Sequence, residues 1–313
     1  MTTNRDERRR AVIGQSTEEA VDAIVAADPT RDPEDVRSAL DHVTEDGHVT
    51  QAGIEATVSD VAKRLATAET RVELAASALD DAMAAAAAYD DIDVVAARLE
   101  QYRSTLDAAA SRVDRLGSAL ASVSTPADTV ESVYESVVEL REIAADAREA
   151  QQQADQLQLD LDDFEAWLAD PDRRRRGIEE DVDVVEDTLD TVAGEDVESA
   201  EAWVDGVLRL ELLSLLVADL RSELAELQTM ATRDGVGEAY GSEIERRLTE
   251  IESRAGAIRE RLEGGAESAW RAQYADRIAS FRDVIEAADP PVAWGEVQSE
   301  LRRAQSLDEP YPR

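Results

Sequence analysis

Apolar residues recur three and four positions apart along almost the whole chain, the spacing that keeps one face of an α-helix dry. The first clear run is Val58, Val61, Leu65, Ala68, Val72, Ala75, Leu79 and Ala82. A second follows at Val95, Leu99, Tyr102, Leu106, Ala109, Val113, Leu116, Leu120 and Val123. The turn between them is marked by Asp90-Asp91, so the two helices are predicted to fold back as an antiparallel coiled-coil hairpin. After Thr125-Pro126 a third run keeps the phase at Val130, Val133, Val137, Leu140, Ala144 and Ala147, meets Gln151, Gln152 and Gln153, and resumes in a shifted frame at Leu157, Leu161, Phe164 and Leu168. The shift is expected to mark either a polar layer inside one bundle or a passage from one bundle to the next.

Ahead of the hairpin, residues 17–27 and 34–43 form two short helical patterns punctuated by Asp28-Pro29, Asp32-Pro33 and Asp46-Gly47, a small helical head. Beyond the third run, further seams appear at Ile178, Val182, Val185, Leu189 and Val192, over residues 198–230, and at Ile244, Leu248, Ile251, Ala255, Ile258 and Leu262. Another follows at Trp270, Tyr274, Ile278, Phe281 and Ile285, and a short one after Pro290-Pro291 at Val297 and Leu301. Between residues 207 and 220 apolar side chains cover most of the helix circumference, which predicts a central helix with partners on several sides. All four tryptophans, Trp167, Trp203, Trp270 and Trp294, fall after residue 165, so the thicker core is expected there. The expected architecture is all-α, a long antiparallel hairpin plus a helical bundle, with a spectrin-like succession of bundles as one form of it. Its parts are a flexible N-terminus (1–16), the head (17–50), the hairpin with the start of a linking helix (51–150), a C-terminal bundle (151–305) and a flexible tail (306–313).

Charge changes the picture of the surface. The chain has 33 basic and 71 acidic side chains, a formal net charge of −38, and Lys63 is its one lysine. At molar salt the Debye length falls to about 3 Å, and carboxylates that would repel in dilute buffer are screened while still holding water and cations. The acidity therefore reads as adaptation to a salty cytoplasm. Disorder is the other reading of such charge, but 43% apolar residues at helical spacing oppose it. No cysteine is present, which excludes disulfides, thiolate metal sites and thiol nucleophiles. The first ten residues lack the apolar core of a signal peptide. The most apolar stretch, residues 207–217, carries Arg209 and Glu211 and falls well short of the ~20 residues a membrane span needs. A cytoplasmic protein without membrane insertion is expected.

Several phrases carry a family resemblance: Val43-Thr44-Glu45-Asp46-Gly47 with Val49-Thr50, residues 66–74, residues 157–173, Leu216-Val217-Ala218-Asp219-Leu220-Arg221, and Pro290-Pro291-Val292-Ala293-Trp294-Gly295. Over about residues 17 to 301 the chain resembles haloarchaeal proteins that carry the family label "halo transducer protein". The resemblance implies an all-helical, cytoplasmic protein with a role in signal transduction, and it transfers no functional residue. A chemoreceptor-like transducer would have membrane spans and a glycine- and glutamate-rich hairpin tip for its kinase, and this chain shows neither.

Candidate chemistry is sparse. His42 and His48 flank a turn without the i, i+4 spacing that presents two metal ligands from one rigid element, so they read as surface histidines. Carboxylate groups such as Glu179-Glu180-Asp181 and Asp160 with Asp162-Asp163 carry little weight among 71 acids, and seams of Ala, Val and Leu offer no evident pocket to shift a pKa. No phosphate loop, nucleophile elbow or dinucleotide fingerprint occurs. No enzyme, cofactor, metal or small-molecule substrate is expected. The arginine runs Arg8-Arg9-Arg10 and Arg173, Arg174, Arg175 and Arg176 are the remaining candidates for an interaction patch, although neighbouring acids can pair the second run internally. The head is similar in outline to a winged-helix DNA reader, but residues 35–41 offer only Arg37 amid acids. The expected function is a non-catalytic scaffold or adaptor that binds another protein, or a second copy of itself, in signal transduction. The alternative is a nucleoid or DNA-associated regulator using the head and the arginine clusters.

Overall fold

In the computed structural model, residues 14–16, just ahead of the first helix, are already part of the head. The structure describes residues 13–123, 130–237, 239–290, 292 and 294–306. Arg8-Arg9-Arg10, the Thr125-Pro126 break, and the expected flexible ends except residues 13–16 and 306 lie outside them. Gly14 donates to Val49 O at 2.8 Å, Val49 donates to Gln15 O at 3.0 Å, and Ser16 bridges His48. Residues 14–16 thus form an edge of the head where a flexible segment was expected.

Helix α1 (Thr17–Ala27) starts at a capping box: Ser16 accepts from Glu19 N, and the Glu19 carboxylate accepts from Ser16 N at 3.1 Å. Asp32 caps α2 (Pro33–Leu40), whose first residue is a proline suited to that position. Strands β1 (Thr44–Glu45) and β2 (His48–Val49) pair antiparallel across Asp46 and Gly47, both at positive φ, as a two-residue hairpin turn requires. The head core, Val21, Ile24, Val36, Leu40, Val43 and Val49, is closed by Ile54, Val133 and Val137 from the helices that follow.

The chain divides into two compact units, one of residues 1–84 with 99–163, the other of 85–98 with 164–313. The boundary expected at residue 150 falls within the first of these units. Among the described residues there are ten α-helices and two short strands, so the fold is all-α.

In the first unit, α3 (Gln51–Ala86) and α4 (Asp93–Val123) form the expected antiparallel pair, with Arg103 of α4 reaching the Met83 sulfur of α3. They are joined by α5 (Val130–Ala169), which runs antiparallel to α4 and parallel to α3. Two ion pairs set this register, Arg112 with Glu149 at 2.8 Å and Arg71 with Asp155 at 3.4 Å. The result is an up-down-up three-helix bundle. The glutamines do not interrupt the α5 seam. Its buried residues run Leu140, Ile143, Ala147, Ala150, Ala154, Leu157 and Leu161, and Gln151, Gln152 and Gln153 lie off it. Ala150 and Ala154 carry the heptad, and the one irregular step falls between Leu140 and Ile143.

In the second unit, α7 (Ala200–Arg233) is packed by α6 (Pro171–Gly194), α8 (Ser242–Gly265), α9 (Ser268–Ala287) and α10 (Trp294–Gln305). That is why apolar residues surround its first half: Val204, Leu208, Leu210, Leu213, Leu215 and Val217 are all buried. No helix among the described residues is long and apolar enough to cross a membrane.

The head meets α3 at a glycine. A Cβ on Gly53 would lie 2.4 Å from Val43 O, main chain that cannot swing aside, while Thr57 Oγ1 donates to His42 O at 2.6 Å beside it. Gly53→Ala should therefore lower stability by about 1–3 kcal/mol through forced separation of head and helix. The check is a urea midpoint, which should fall.

Candidate functional site

The four consecutive arginines do not form one surface patch. Asp170 caps α6 by accepting from Asp172 N at 2.9 Å, and the arginines then point in different directions around the helix. Arg174 is fully buried. Its guanidinium donates to Leu168 O at 2.5 Å and Trp167 O at 3.4 Å, carbonyls of the last turn of α5, and pairs with Asp234. Arg175 pairs with Glu179 at 2.7 Å, Arg176 lies 3.8 Å from Asp170, and Arg173 is also engaged within the chain. The structure therefore does not gather Arg173, Arg174, Arg175 and Arg176 on one face: Arg174 is buried, and its neighbours have partners within the chain.

Arg174 is the centre of a junction that sequence reasoning missed. Tyr89, at the α3–α4 turn, donates its hydroxyl to Asp234, and its ring centroid lies 5.9 Å from the Arg174 guanidinium. Burial and the Asp234 carboxylate push the Tyr89 phenol up, keeping it a donor. Arg233 grips the same turn through both Asp91 carboxylate oxygens, at 2.7 and 2.6 Å, and Ala88 O at 3.2 Å. These partners are more than 140 residues apart in the chain, so no local signal announces them.

The head offers no cationic reading surface on α2. Arg37 is held bidentately by Glu18, both bonds at 2.9 Å. His42 and His48 are exposed, and His48 Nδ1 contacts its own turn at Asp46 O, 3.0 Å away. Among the described residues no group of three or more His, Asp or Glu side chains is arranged to hold a metal ion.

Two of the clefts within the second unit carry charged side chains on several elements. The smaller, about 210 Å³, is lined by Val94, Arg98, Asp219, Glu223, Glu226 and Trp294. Asp219 accepts from Val292 N at 3.1 Å and from the Trp294 indole at 3.0 Å, and Glu226 accepts from Val94 N at 2.6 Å. Arg98 stacks 4.1 Å over the Trp167 ring and reaches Glu223 at 3.3 Å. Burial raises the Glu223 carboxyl despite Arg98, and Asp181, Asp219 and Glu226 raise it further; Asp181 and Glu226 are also raised, chiefly by burial.

The larger cleft, about 680 Å³, opens between α8 and α9 over α7. Both helices pack on α7 and are joined by two residues, Ala266 and Glu267, yet they diverge where Gly264, Ala275 and Ala279 are too small to close the gap. At one end the buried Glu211 accepts from Arg282 at 2.6 and 3.2 Å, with Arg259 3.7 Å away. At the other lies Trp203, whose buried indole N–H has no acceptor. This cavity corrects the expectation that such seams leave no pocket; helix divergence is tertiary and leaves no periodic trace. Comparison with protein-family models, with curated proteins and with solved structures finds no match for the chain.

The raised carboxyls give the smaller cleft a signed pH response. The folded state binds these protons more tightly than the unfolded chain, so the destabilising contribution is fully present above the folded pKa. It fades as pH falls toward the ordinary carboxylate range. As pH falls from neutrality toward the ordinary carboxylate range, wild type should gain stability relative to Glu223→Gln. Parallel denaturation midpoints for the two proteins across that range would contradict the assignment.

Proposed function

We propose that the chain is a non-catalytic, halophilic scaffold or adaptor that acts in the cytoplasm by binding another protein, in signal transduction. The observation that supports this reading is in the first unit, whose seams are closed by buried Leu79, Leu157 and Leu161 while Leu74, Met83 and Leu159 remain exposed. Leu159 is 60% exposed on α5 of a chain that is otherwise dense in carboxylates on its surface. Aliphatic side chains on the outer faces of long helices offer anchors to a partner's amphipathic helix. The acidic setting favours a partner with basic residues flanking its apolar face. The nucleic-acid alternative draws less support from the described residues, since Arg37 is chelated by Glu18 and Arg174 is buried.

The test is affinity capture from source-cell lysate in multimolar KCl, comparing wild type with Leu74→Glu/Met83→Glu/Leu159→Glu. Proteins held by wild type and lost with the triple variant are the expected result. Retention of an identical set by both, or of nucleic acid without protein, would overturn the proposal.

A further inference from the structure

The charges of the first unit are sorted along its length. Helix α3 carries its basic residues at Lys63, Arg64 and Arg71, and α5 carries its own at Arg141 and Arg148. Residues 72–84 and 149–163, farther from the head, hold no basic residue and eight carboxylates. The Arg71–Asp155 pair sets the two parallel helices at one height, and Ile54 sharing the head core with Val133 and Val137 fits the same register.

Counting from that pair by three, four or seven residues keeps to one side of each helix. On α3 the count passes from Arg64 through Arg71 and Leu74 to Asp81; on α5 it passes from Arg148 through Asp155 and Leu159 to Asp162. The outer face that α3 and α5 share is therefore basic toward the head, apolar in the middle and acidic beyond. Glu149, paired with Arg112 of α4, belongs to the other flank of α5. Arg64, Arg148, Asp81 and Asp162 are exposed and form no hydrogen bond or ion pair among the described residues. Between them Leu74 is 44% and Leu159 60% exposed.

We propose that this face pairs with the same face of a second copy, the two first units running antiparallel about a two-fold axis. A two-fold interface must be complementary to itself, and this face is. Antiparallel apposition lays α3 on α3 and α5 on α5, so Arg64 of each copy meets Asp81 of the other and Arg148 meets Asp162. The midpoints of these pairs fall between residues 72 and 73 on α3 and at residue 155 on α5. In the register of the Arg71–Asp155 pair they differ in height by about 2 Å, so one axis serves both. Leu74 and Leu159 then lie within about one turn of that axis and cover their counterparts. A parallel pairing would set Arg64 and Arg148 against themselves, and a partner of one charge sign would be repelled at one end. The inference rests on the reading of Leu74 and Leu159 as partner anchors, and names the partner. At high salt the leucines supply the affinity and the charges choose the direction.

Sedimentation over a range of protein concentrations, in KCl that keeps the chain folded, tests this. Wild type should show a monomer–dimer equilibrium, and Leu74→Glu/Leu159→Glu should stay monomeric. Arg64→Glu/Arg148→Glu and Asp81→Arg/Asp162→Arg should each weaken self-association roughly tenfold. An equimolar mixture of those two should recover wild-type affinity, because every end of a mixed pair faces its opposite. All six positions are exposed, so the variants keep the fold, which unchanged circular dichroism verifies. The chain has no cysteine, so Arg64→Cys and Asp81→Cys, mixed and oxidised, should link to each other. Monomeric wild type, a dimer that survives Leu74→Glu/Leu159→Glu, charge variants that associate as wild type does, or Arg64→Cys linking to itself would each overturn the proposal. A monomeric wild type would leave the capture of other proteins from lysate to be judged by its own result.

Discussion

The second unit is organised around one buried guanidinium. Arg174 sits where α5 ends and α6 begins, and it satisfies two carbonyls that the last turn of any helix leaves without partners. Its charge is balanced by Asp234 at the end of α7, and Asp234 in turn holds Tyr89 of the α3–α4 turn. One side chain therefore ties together the α5–α6 corner, the end of the central helix, and a turn from much earlier in the chain. A fully buried arginine is tolerated only because each of these partners is in place, and removing it would strand Asp234 and the two carbonyls.

Most other ion pairs act differently. Arg221 with Glu245 and Glu252, Arg247 with Asp183 and Glu186, and Arg254 with Asp190 stitch α8 to its neighbours, but nearly all of these groups are substantially exposed. Such pairs contribute about 0–1 kcal/mol each and are screened by salt. Stability must then come mainly from the buried seams, and the pairs choose register among helices that would otherwise slide. Arginine suits that role better than lysine, because its planar fork can hold two carboxylate oxygens, as Arg233 does with Asp91 and Arg37 with Glu18.

Much of the fold was legible in periodicity. The α3 seam from Val61 to Ala82, the α6 seam from Ile178 to Val192 and the all-round apolar character of early α7 appear in the structure at the positions the spacing indicates. Alanine was the weak point: Ala150 and Ala154 continue the α5 heptad, but their small side chains made Gln151–Gln153 look like a break. The candidate sites were harder to see for a physical reason. A run such as residues 173–176 reads as one charge cluster in one dimension, whereas the ~100° turn per residue sends Arg174 into the core and its neighbours outward. The large cleft depends on two helices diverging over Ala275 and Ala279, and Trp203 is marked in the sequence only as one aromatic among several. Contacts such as Tyr89 with Asp234 need the fold itself to bring them together.

If Arg174 anchors the second unit in this way, its loss should be felt locally before it is felt everywhere. Amide hydrogen exchange along the whole chain, compared between wild type and Arg174→Met, measures that directly. The account predicts faster exchange at residues 87–95 and 231–236 and at the α5–α6 corner, with the head at residues 17–50 unchanged. Unaltered protection of residues 87–95, or a uniform loss across head and bundle alike, would contradict it.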